Sequence, residues 1–229
     1  MIGIICALKE EYDKINALMV DSGEVEADGL LFMRGEIGNQ EVVTTKCGMG
    51  KVFAAMYAQA MIDEFLPDIV MSFGAAGSLS PDLHIGDVAI IEKVVQHDMD
   101  TSPIGFRKGE IAELSTIWFE CHKDVTELLC SCAQELGISY KRASAATGDK
   151  FINSPDAKAE ILKNFDAHIT EMEGGAIAQV CAVHNVPFEI VRVITDEADC
   201  SAPDNFSAFL TKVTDDAGKL VELFCTKFV

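Results

Sequence analysis

The chain has 229 residues, 49% of them hydrophobic, and its 18 basic and 37 acidic residues give a formal net charge of -19 at pH 7. This length suffices for one large α/β domain or two small ones. A chain this acidic repels phosphate backbones and anionic lipid surfaces, which argues against nucleic acids and membranes as partners.

The order of apolar and polar residues predicts alternating strands and helices. In chain order we predict a strand over 1–6, a helix over 10–20, strands over 29–37 and 40–47, a helix over 52–65, strands over 68–73 and 86–96, a polar loop over 98–113, a helix over 124–136, a strand over 139–147, helices over 154–165 and 172–184, a strand over 187–194 and a helix over 206–228. The strand over 187–194 is almost entirely apolar, as in a sheet covered on both faces. Because no linker or repeat interrupts the alternation, we predict one three-layer α/β domain over 1–229.

Cysteines, histidines and the N-terminus indicate the compartment. The eight cysteines include no CxxC pair and the five histidines show no metal-ligand spacing, so we expect reduced thiols and no metal site. The segment MIGIICALKEE lacks the basic start of a signal peptide, and no apolar run approaches the roughly 18 residues of a membrane helix. We therefore expect a cytoplasmic protein.

Two glycine-containing segments follow predicted strands. CGMGK at 47–51 lacks the first glycine and the final Ser or Thr of a phosphate-binding P-loop, and FGAAGS at 73–78 is not a dinucleotide-binding GxGxxG. Each could be only a tight turn, but two such turns at strand ends favour a ligand cleft. Phe151 and Ile152 could anchor a loop or form an apolar wall for a flat ring.

Acidic residues concentrate at predicted element ends. Glu171 and Glu173 open a helix, Arg192 and Asp196 lie on or just past a strand, and Glu11 follows the first strand. Acids beside apolar walls can have pKa values shifted toward catalytic use. The alternative is that these are ordinary helix-start acids, which favour the helix dipole, and a solvated turn.

The motifs in combination resemble those of the bacterial 5'-methylthioadenosine/S-adenosylhomocysteine nucleosidases of the nucleoside phosphorylase superfamily. The likeness runs nearly end to end through IGIICALKEE, KCGMGKVFAA, PDIVMSFGAAGSL, GDVAII with HDMDTSPIGF, TGDKFI, EMEGGAIAQVC and VPFEIVRVITDEAD. The resemblance implies a nucleoside phosphorylase-like αβα sandwich around a central mixed β-sheet, a small nucleoside as substrate, no cofactor and a homodimer.

The resemblance also implies catalytic roles. Glu11 matches the acid that deprotonates the attacking water, and Asp196 matches the acid that protonates the purine at N7. Glu173 matches the carboxylate that holds the ribose hydroxyls, and Arg192 matches an arginine near the water. Cleavage of an N-ribosidic bond builds negative charge on the departing base, which a protonated acid neutralises.

Other matched positions surround the substrate. Met49 and Met172 match residues packed around the sugar. Phe151 and Phe206 match the aromatic walls of the base and alkylthio pockets, and the backbone of Ile152 matches the group that reads the adenine edge.

The remaining matched positions complete the expected site. Ala76 and Gly77 match small residues beside the nucleoside. The resemblance also implies that Glu171 and Thr195 bind the substrate. Ile104 stands where the family places an apolar residue from the neighbouring subunit, which implies that the homodimer shares residues across its sites. We also expect the 98–113 loop to close over the site.

The implied reaction is hydrolysis of 5'-methylthioadenosine and S-adenosylhomocysteine to adenine and a thio-ribose, in methionine salvage and by-product clearance. Phosphorolytic relatives carry a phosphate-binding arginine in the turn matched by 74–77, where this chain has no cation. Other possibilities are hydrolysis of aminodeoxyfutalosine or 5'-deoxyadenosine, phosphorolysis, and nucleoside binding without catalysis. Departures from the family pattern at Lys9, Ser78, Ile104 and Thr195 affect substrate choice more than reaction type.

Overall fold

The structure, a computed structural model, describes residues 1–228 and the side chains of all of these except residues 203 and 207–214. The strands are β1 (Ile2–Cys6), β2 (Val20–Ala27), β3 (Leu30–Ile37), β4 (Gln40–Lys46), β5 (Ile69–Ser78), β6 (Val88–Gln96), β7 (Trp118–Glu120), β8 (Tyr140–Thr147), β9 (Ile169–Glu171) and β10 (Phe188–Asp196). The α-helices are α1 (Lys9–Asn16), α2 (Lys51–Phe65), α3 (Lys123–Leu136), α4 (Pro155–Phe165), α5 (Gly174–His184) and α6 (Ala202–Lys227). Two short 3₁₀ helices lie at Ser102–Ile104 and Ala112–Leu114.

The strands form one mixed β-sheet in the order β10-β6-β8-β9-β5-β1-β4-β3-β2, with β7 paired to β6. β10 also pairs with β5, so β5, β9, β8, β6 and β10 close into a ring. β1, β5 and β10 run parallel to each other. Their carboxyl ends therefore lie at the same edge of the sheet, and this is the edge that positions the site. The predicted α/β fold with a mixed sheet is confirmed.

The core forms two large clusters that alternate along the strands. On β1, Ile5 belongs to a cluster with α2 and α5, whereas Ile2 and Ile4 belong to a second cluster with α1, α3 and α6. This alternation follows from the two-residue period of a strand. Between Ile2 and Ile4 the strand has Gly3, where a side chain would not fit because its Cβ would collide with the sulfur of Met61.

Several predicted boundaries were wrong. The helix predicted over 10–20 ends at Asn16, and residues 20–27 form the mostly exposed strand β2. The strands β7 and β9 were missed because each has only three residues. The predicted helix over 172–184 begins at Gly174, and the terminal helix begins at Ala202 rather than at 206. Within residues 1–228 no helix is both long and apolar enough to span a bilayer.

Candidate active site

A cavity opens at the carboxyl ends of β1, β5 and β10. This edge of a sheet is where α/β proteins bind ligands. The structure brings twelve of the predicted residues together around this cavity: Glu11, Met49, Ala76, Gly77, Phe151, Ile152, Glu171, Met172, Glu173, Thr195, Asp196 and Phe206.

Glu11 lies in the first turn of α1 and is almost fully buried. Its carboxylate accepts hydrogen bonds from the backbone N–H groups of Ala7 (3.0 Å), Leu8 (2.9 Å) and Ala75 (2.9 Å). Burial raises the pKa of Glu11, while these donors and Arg192 favour the charged form. A carboxylate has about four acceptor positions, so Glu11 is fixed in orientation and still able to accept a proton or hydrogen bond from water.

Asp196 is the last residue of β10 and its side chain is buried against the cavity. Its Oδ2 accepts from the hydroxyl of Thr195 at 3.0 Å, and its Oδ1 accepts from the backbone N–H of Ala198 at 2.9 Å. Burial raises the pKa of Asp196 above its ordinary value, against the opposing effect of these two bonds. A raised pKa increases the protonated fraction near neutral pH, which suits a general acid.

Gly74 and Gly77 make room for these two carboxyl groups. A Cβ on Gly74 would lie 2.7 Å from Oε1 of Glu11, and a Cβ on Gly77 would lie 2.7 Å from Oδ1 of Asp196. The prediction that 73–78 is a turn was wrong, since these residues continue β5. The glycines therefore serve close packing between a strand and two acids rather than a change of chain direction.

Arg192 lies behind the main cavity, in a smaller polar chamber that Glu11 and Ser72 also line. Its Nη2 donates to Oε2 of Glu171 at 2.7 Å and to the hydroxyl of Ser72 at 2.8 Å. The side chains of this ion pair are only 2% and 1% exposed. Arg192 and Ile104 are the two of the fourteen predicted residues that do not line the main cavity.

Glu171 lines the cavity but uses its acceptors within the protein. Besides Arg192, it accepts from the Thr147 hydroxyl and from the backbone N–H groups of Glu173 (3.0 Å) and Gly174 (2.6 Å). Although burial alone would raise the pKa of Glu171, Arg192 and these donors hold it below its ordinary value. Glu171 is therefore the anionic anchor of the N-terminus of α5, and a direct substrate contact through its carboxylate would have to displace one of these bonds.

Glu173, at the N-cap of α5, points toward the other glycine segment. Its Oε1 accepts from the backbone N–H of Gly50 at 2.8 Å. The next N–H, of Lys51, donates to Asp149 at 2.8 Å, and the Lys51 ammonium lies 2.7 Å from Asp98. Burial, followed by repulsion from Glu171, raises the pKa of Glu173 to about 7. A backbone N–H of the predicted strand-to-helix turn at 47–51 therefore donates a hydrogen bond to the carboxyl of Glu173, which lines the cavity.

Apolar side chains complete the cavity lining. The rings of Phe151 and Phe206 meet edge-to-face with their centroids 5.8 Å apart. Ile152 is buried, while Met49 and Phe151 are 63% and 39% exposed and mark the open side of the cavity. Aromatic faces and soft thioethers suit a flat base and a thioether substituent.

Ile104 does not line the cavity formed by this chain. It lies in the first 3₁₀ helix and is 74% exposed. The participation of Ile104 in a site stays a prediction.

Residue-level reasoning missed the partners that hold the charged groups. Ser72 and Thr147 bond Arg192 and Glu171, and Lys150 lines the cavity mouth. Ser72 and Thr147 lie within predicted strands, where the sequence contains no local signal for a long-range partner. Across the described part of the chain, no group of three or more His, Cys, Asp or Glu side chains is arranged to hold a metal ion.

The chain is similar to known proteins of one superfamily. Residues 1–228 match the family model described as the phosphorylase superfamily. A Staphylococcus aureus protein named 5'-methylthioadenosine/S-adenosylhomocysteine nucleosidase is 36% identical over 97% of both chains. The nucleosidase of Neisseria meningitidis, solved with methylthio-immucillin-A, has a TM-score of 0.95 at 29% identity over 99% of both chains. A Helicobacter pylori futalosine hydrolase has a TM-score of 0.93 at 34% identity, over 97% of this chain and 96% of that one.

The matched family model covers nearly all of the chain, and the match to the S. aureus nucleosidase covers almost as much. The chain therefore belongs to the phosphorylase superfamily and, within it, to the 5'-methylthioadenosine/S-adenosylhomocysteine nucleosidases.

Proposed function

We propose that the protein hydrolyses the N-ribosidic bond of 5'-methylthioadenosine and S-adenosylhomocysteine, releasing adenine and a thio-ribose. The observation that carries this proposal is the pair of buried carboxyl groups, Glu11 and Asp196, which line the same cavity. Similarity to named nucleosidases supports the same conclusion.

In this proposal Asp196 is the general acid. Burial raises its pKa and so favours the protonated form, and proton transfer to N7 of the base neutralises the charge that develops as the bond to the sugar breaks. The bonds from Thr195 and Ala198 hold the carboxyl in one orientation. General acid catalysis of this kind contributes about 10²–10⁴-fold.

Glu11 is the proposed base for the attacking water. Three backbone N–H groups fix its carboxylate and favour its charged form, and one acceptor position remains for the water. Glu173, which lines the same cavity, would accept hydrogen bonds from the ribose hydroxyls. Two carboxyl groups in opposite protonation states, one acid and one base, are the arrangement used in glycoside hydrolysis.

Water rather than phosphate is the proposed nucleophile. Phosphate recognition needs cations or free N–H groups at the site, but residues 74–77 carry no cation. Arg192 is already bonded to Glu171 and Ser72. Among the described side chains that line the main cavity, Lys150 is the only basic one, and it lies at the mouth beside Phe151.

A second candidate substrate is aminodeoxyfutalosine. The similarity to a Helicobacter pylori futalosine hydrolase, at 34% identity, favours testing it. The same acid and base would cleave either substrate, because the shape of the pocket rather than the catalytic residues decides the preferred 5'-substituent.

We further propose a cytoplasmic homodimer that acts in methionine salvage, built from one three-layer αβα domain over 1–229. Core clusters on both sides of β1 support the layered arrangement. Exposed apolar side chains on α2, at Val52, Phe53 and Met56, support a subunit interface because contiguous apolar surface marks contact sites. Ile104 and the 98–113 segment would then contribute to the site of the partner.

The proposed function is tested by product analysis in ¹⁸O-labelled water. We expect adenine release from 5'-methylthioadenosine without phosphate, with the label in the thio-ribose. A strict phosphate requirement would contradict hydrolysis. Parallel kcat/KM values for S-adenosylhomocysteine and aminodeoxyfutalosine would rank the two candidate activities, and adenine binding without turnover would contradict both.

A further inference from the structure

The pairing between β5 and β10 is irregular at the proposed acid. Residues 188–194 pair in register with residues 70–76, but Asp196 rather than Thr195 lies opposite Gly77. Thr195 is therefore an extra residue in the strand, that is, a β-bulge. Bulges re-aim side chains and are frequent next to active sites, so the direction of the Asp196 side chain depends on how this end of the strand is held.

The turn that follows Asp196 contains a residue in an unfavourable backbone conformation. Ala198 has φ of 51°, in the left-handed region that disfavours residues with a Cβ. It is fully buried, and its N–H bonds Oδ1 of Asp196 at 2.9 Å. A residue in this conformation persists only where its surroundings hold it. The orientation of the Asp196 carboxyl therefore needs support from outside the turn.

Lys158, on α4, provides a contact that spans the bulge. Its ammonium donates to the carbonyl of Ser78, the last residue of β5, at 2.9 Å. It also donates to the carbonyl of Glu197, the residue after Asp196, at 2.7 Å. Hydrogen bonds from a charged donor are about twice as strong as neutral ones. One side chain thus joins the ends of the two strands that carry Gly77 and Asp196.

We propose that Lys158 is a positioning residue for Asp196, holding the turn at 196–198 against the end of β5 so that the carboxyl faces the departing base. This inference rests on the proposed hydrolysis. Lys158 does not line the cavity and therefore acts through Asp196 rather than on the substrate.

Removing Lys158 would change kcat in opposite directions through its charge and through its positioning of Asp196, so the two effects can be separated. Burial raises the pKa of Asp196 and Asp199 raises it further, while Ala198, Thr195 and the Lys158 cation lower it. Removing the cation would leave Asp196 more fully protonated, which by itself favours a general acid. A fall in kcat on removal of Lys158 would therefore reflect lost position and not lost protonation.

The test uses Lys158→Met and Lys158→Arg, with Lys163→Met as the control on the exposed side of the same helix. We expect Lys158→Met to lower kcat for adenine release by about 10–100-fold, the scale of a misplaced catalytic group, with KM changed less than about threefold. Lys158→Arg should restore most of the loss, because a guanidinium also supplies several donors. Lys163→Met should match the wild type.

A double-mutant cycle with Asp196→Asn distinguishes positioning from general stability. Because Lys158 acts through Asp196, Lys158→Met should add no further loss when Asp196 is already Asn. Unchanged kcat in Lys158→Met, or the same loss in both backgrounds, would overturn the inference. If Lys158→Met does not fold, Lys158→Gln replaces it in the same cycle. A wild-type protein that releases no adenine would overturn the proposed function itself, a result distinct from either of these.

Discussion

Glu189 provides a quantitative test of the buried electrostatics of β10, the strand that also carries Arg192 and Asp196. Its side chain is completely buried, with its oxygens accepting from the Thr126 hydroxyl at 2.7 Å and the backbone N–H of Ile190 at 2.9 Å. Burial raises the pKa of Glu189 from 4.5 to about 8. At neutral pH the folded protein therefore holds a proton on Glu189 that the unfolded chain releases.

The sign of the pH dependence follows from this difference. A carboxyl whose pKa is raised on folding stabilises the fold fully below its unfolded pKa, and this stabilisation is lost as pH rises toward its folded pKa. The difference of about 3.5 units between 4.5 and 8 corresponds to roughly 5 kcal/mol in the limit. Between pH 5 and pH 8 the loss should be roughly 3.5 kcal/mol in the free energy of unfolding.

The assay is urea unfolding of the wild type and Glu189→Gln at pH 5, 6, 7 and 8. Gln has nearly the same shape and does not ionise, so the variant should gain stability relative to the wild type by about 1 kcal/mol per pH unit over this range. Glu24→Gln, an exposed change on β2, is the control and should show no such trend. A difference between wild type and Glu189→Gln that stays flat from pH 5 to pH 8 would refute the reasoning.

Three further predictions concern the cavity. Gly77→Ala should lower kcat at least tenfold, because its Cβ would lie 2.7 Å from the carboxyl oxygen of the proposed acid; steady-state kinetics measures this, with Gly23→Ala, where nothing lies within 4 Å, as control. Burial raises the pKa of Glu173 to about 7, so the charged form, which accepts hydrogen bonds from the ribose, becomes more populated as pH rises from 6 to 8. KM should therefore fall over this range, and Glu173→Gln should make KM independent of pH. Glu171→Gln should reduce the free energy of unfolding by about 3–5 kcal/mol in urea, because it leaves the Arg192 charge buried without its counter-ion.

Each of these predictions can fail separately. Equal kcat for Gly77→Ala and Gly23→Ala would mean that the acid has more space than the strand packing indicates. A KM profile unaffected by Glu173→Gln would assign the titration to another group. Wild-type stability in Glu171→Gln would show that Arg192 finds a different partner.

Apolar periodicity was sufficient to predict most of the fold. β1 and β10 are buried at every residue, and their largely apolar runs identify them as central strands, although β10 also carries Glu189 and Arg192. The pattern of apolar residues did not predict strands whose burial produces no alternation of apolar and polar residues. β2 is mostly exposed and polar, and β7 and β9 contain three residues each, too few to show an alternation.

The candidate site was predicted as a set of residues but not as an arrangement. The resemblance to a family identified Glu11, Glu173 and Asp196, and the structure brings all three to one cavity. Two features are invisible to local reasoning because they join distant segments. One is the buried pair between Arg192 and Glu171, and the other is the packing of glycines against carboxyl groups. The sequence of small residues over 73–78 is compatible with either a strand or a turn. Its glycines are explained only by the side chains that pack against them.

The most direct test of the central claim compares adenine release from 5'-methylthioadenosine by the wild type, Glu11→Gln and Asp196→Asn in phosphate-free buffer. Both changes keep side-chain size and remove the ability to exchange a proton. The account predicts rapid release by the wild type and a loss of at least about 100-fold in kcat for each variant, with binding of an adenine-containing inhibitor retained. Full activity in either variant would contradict the assignment of Glu11 as base or Asp196 as acid.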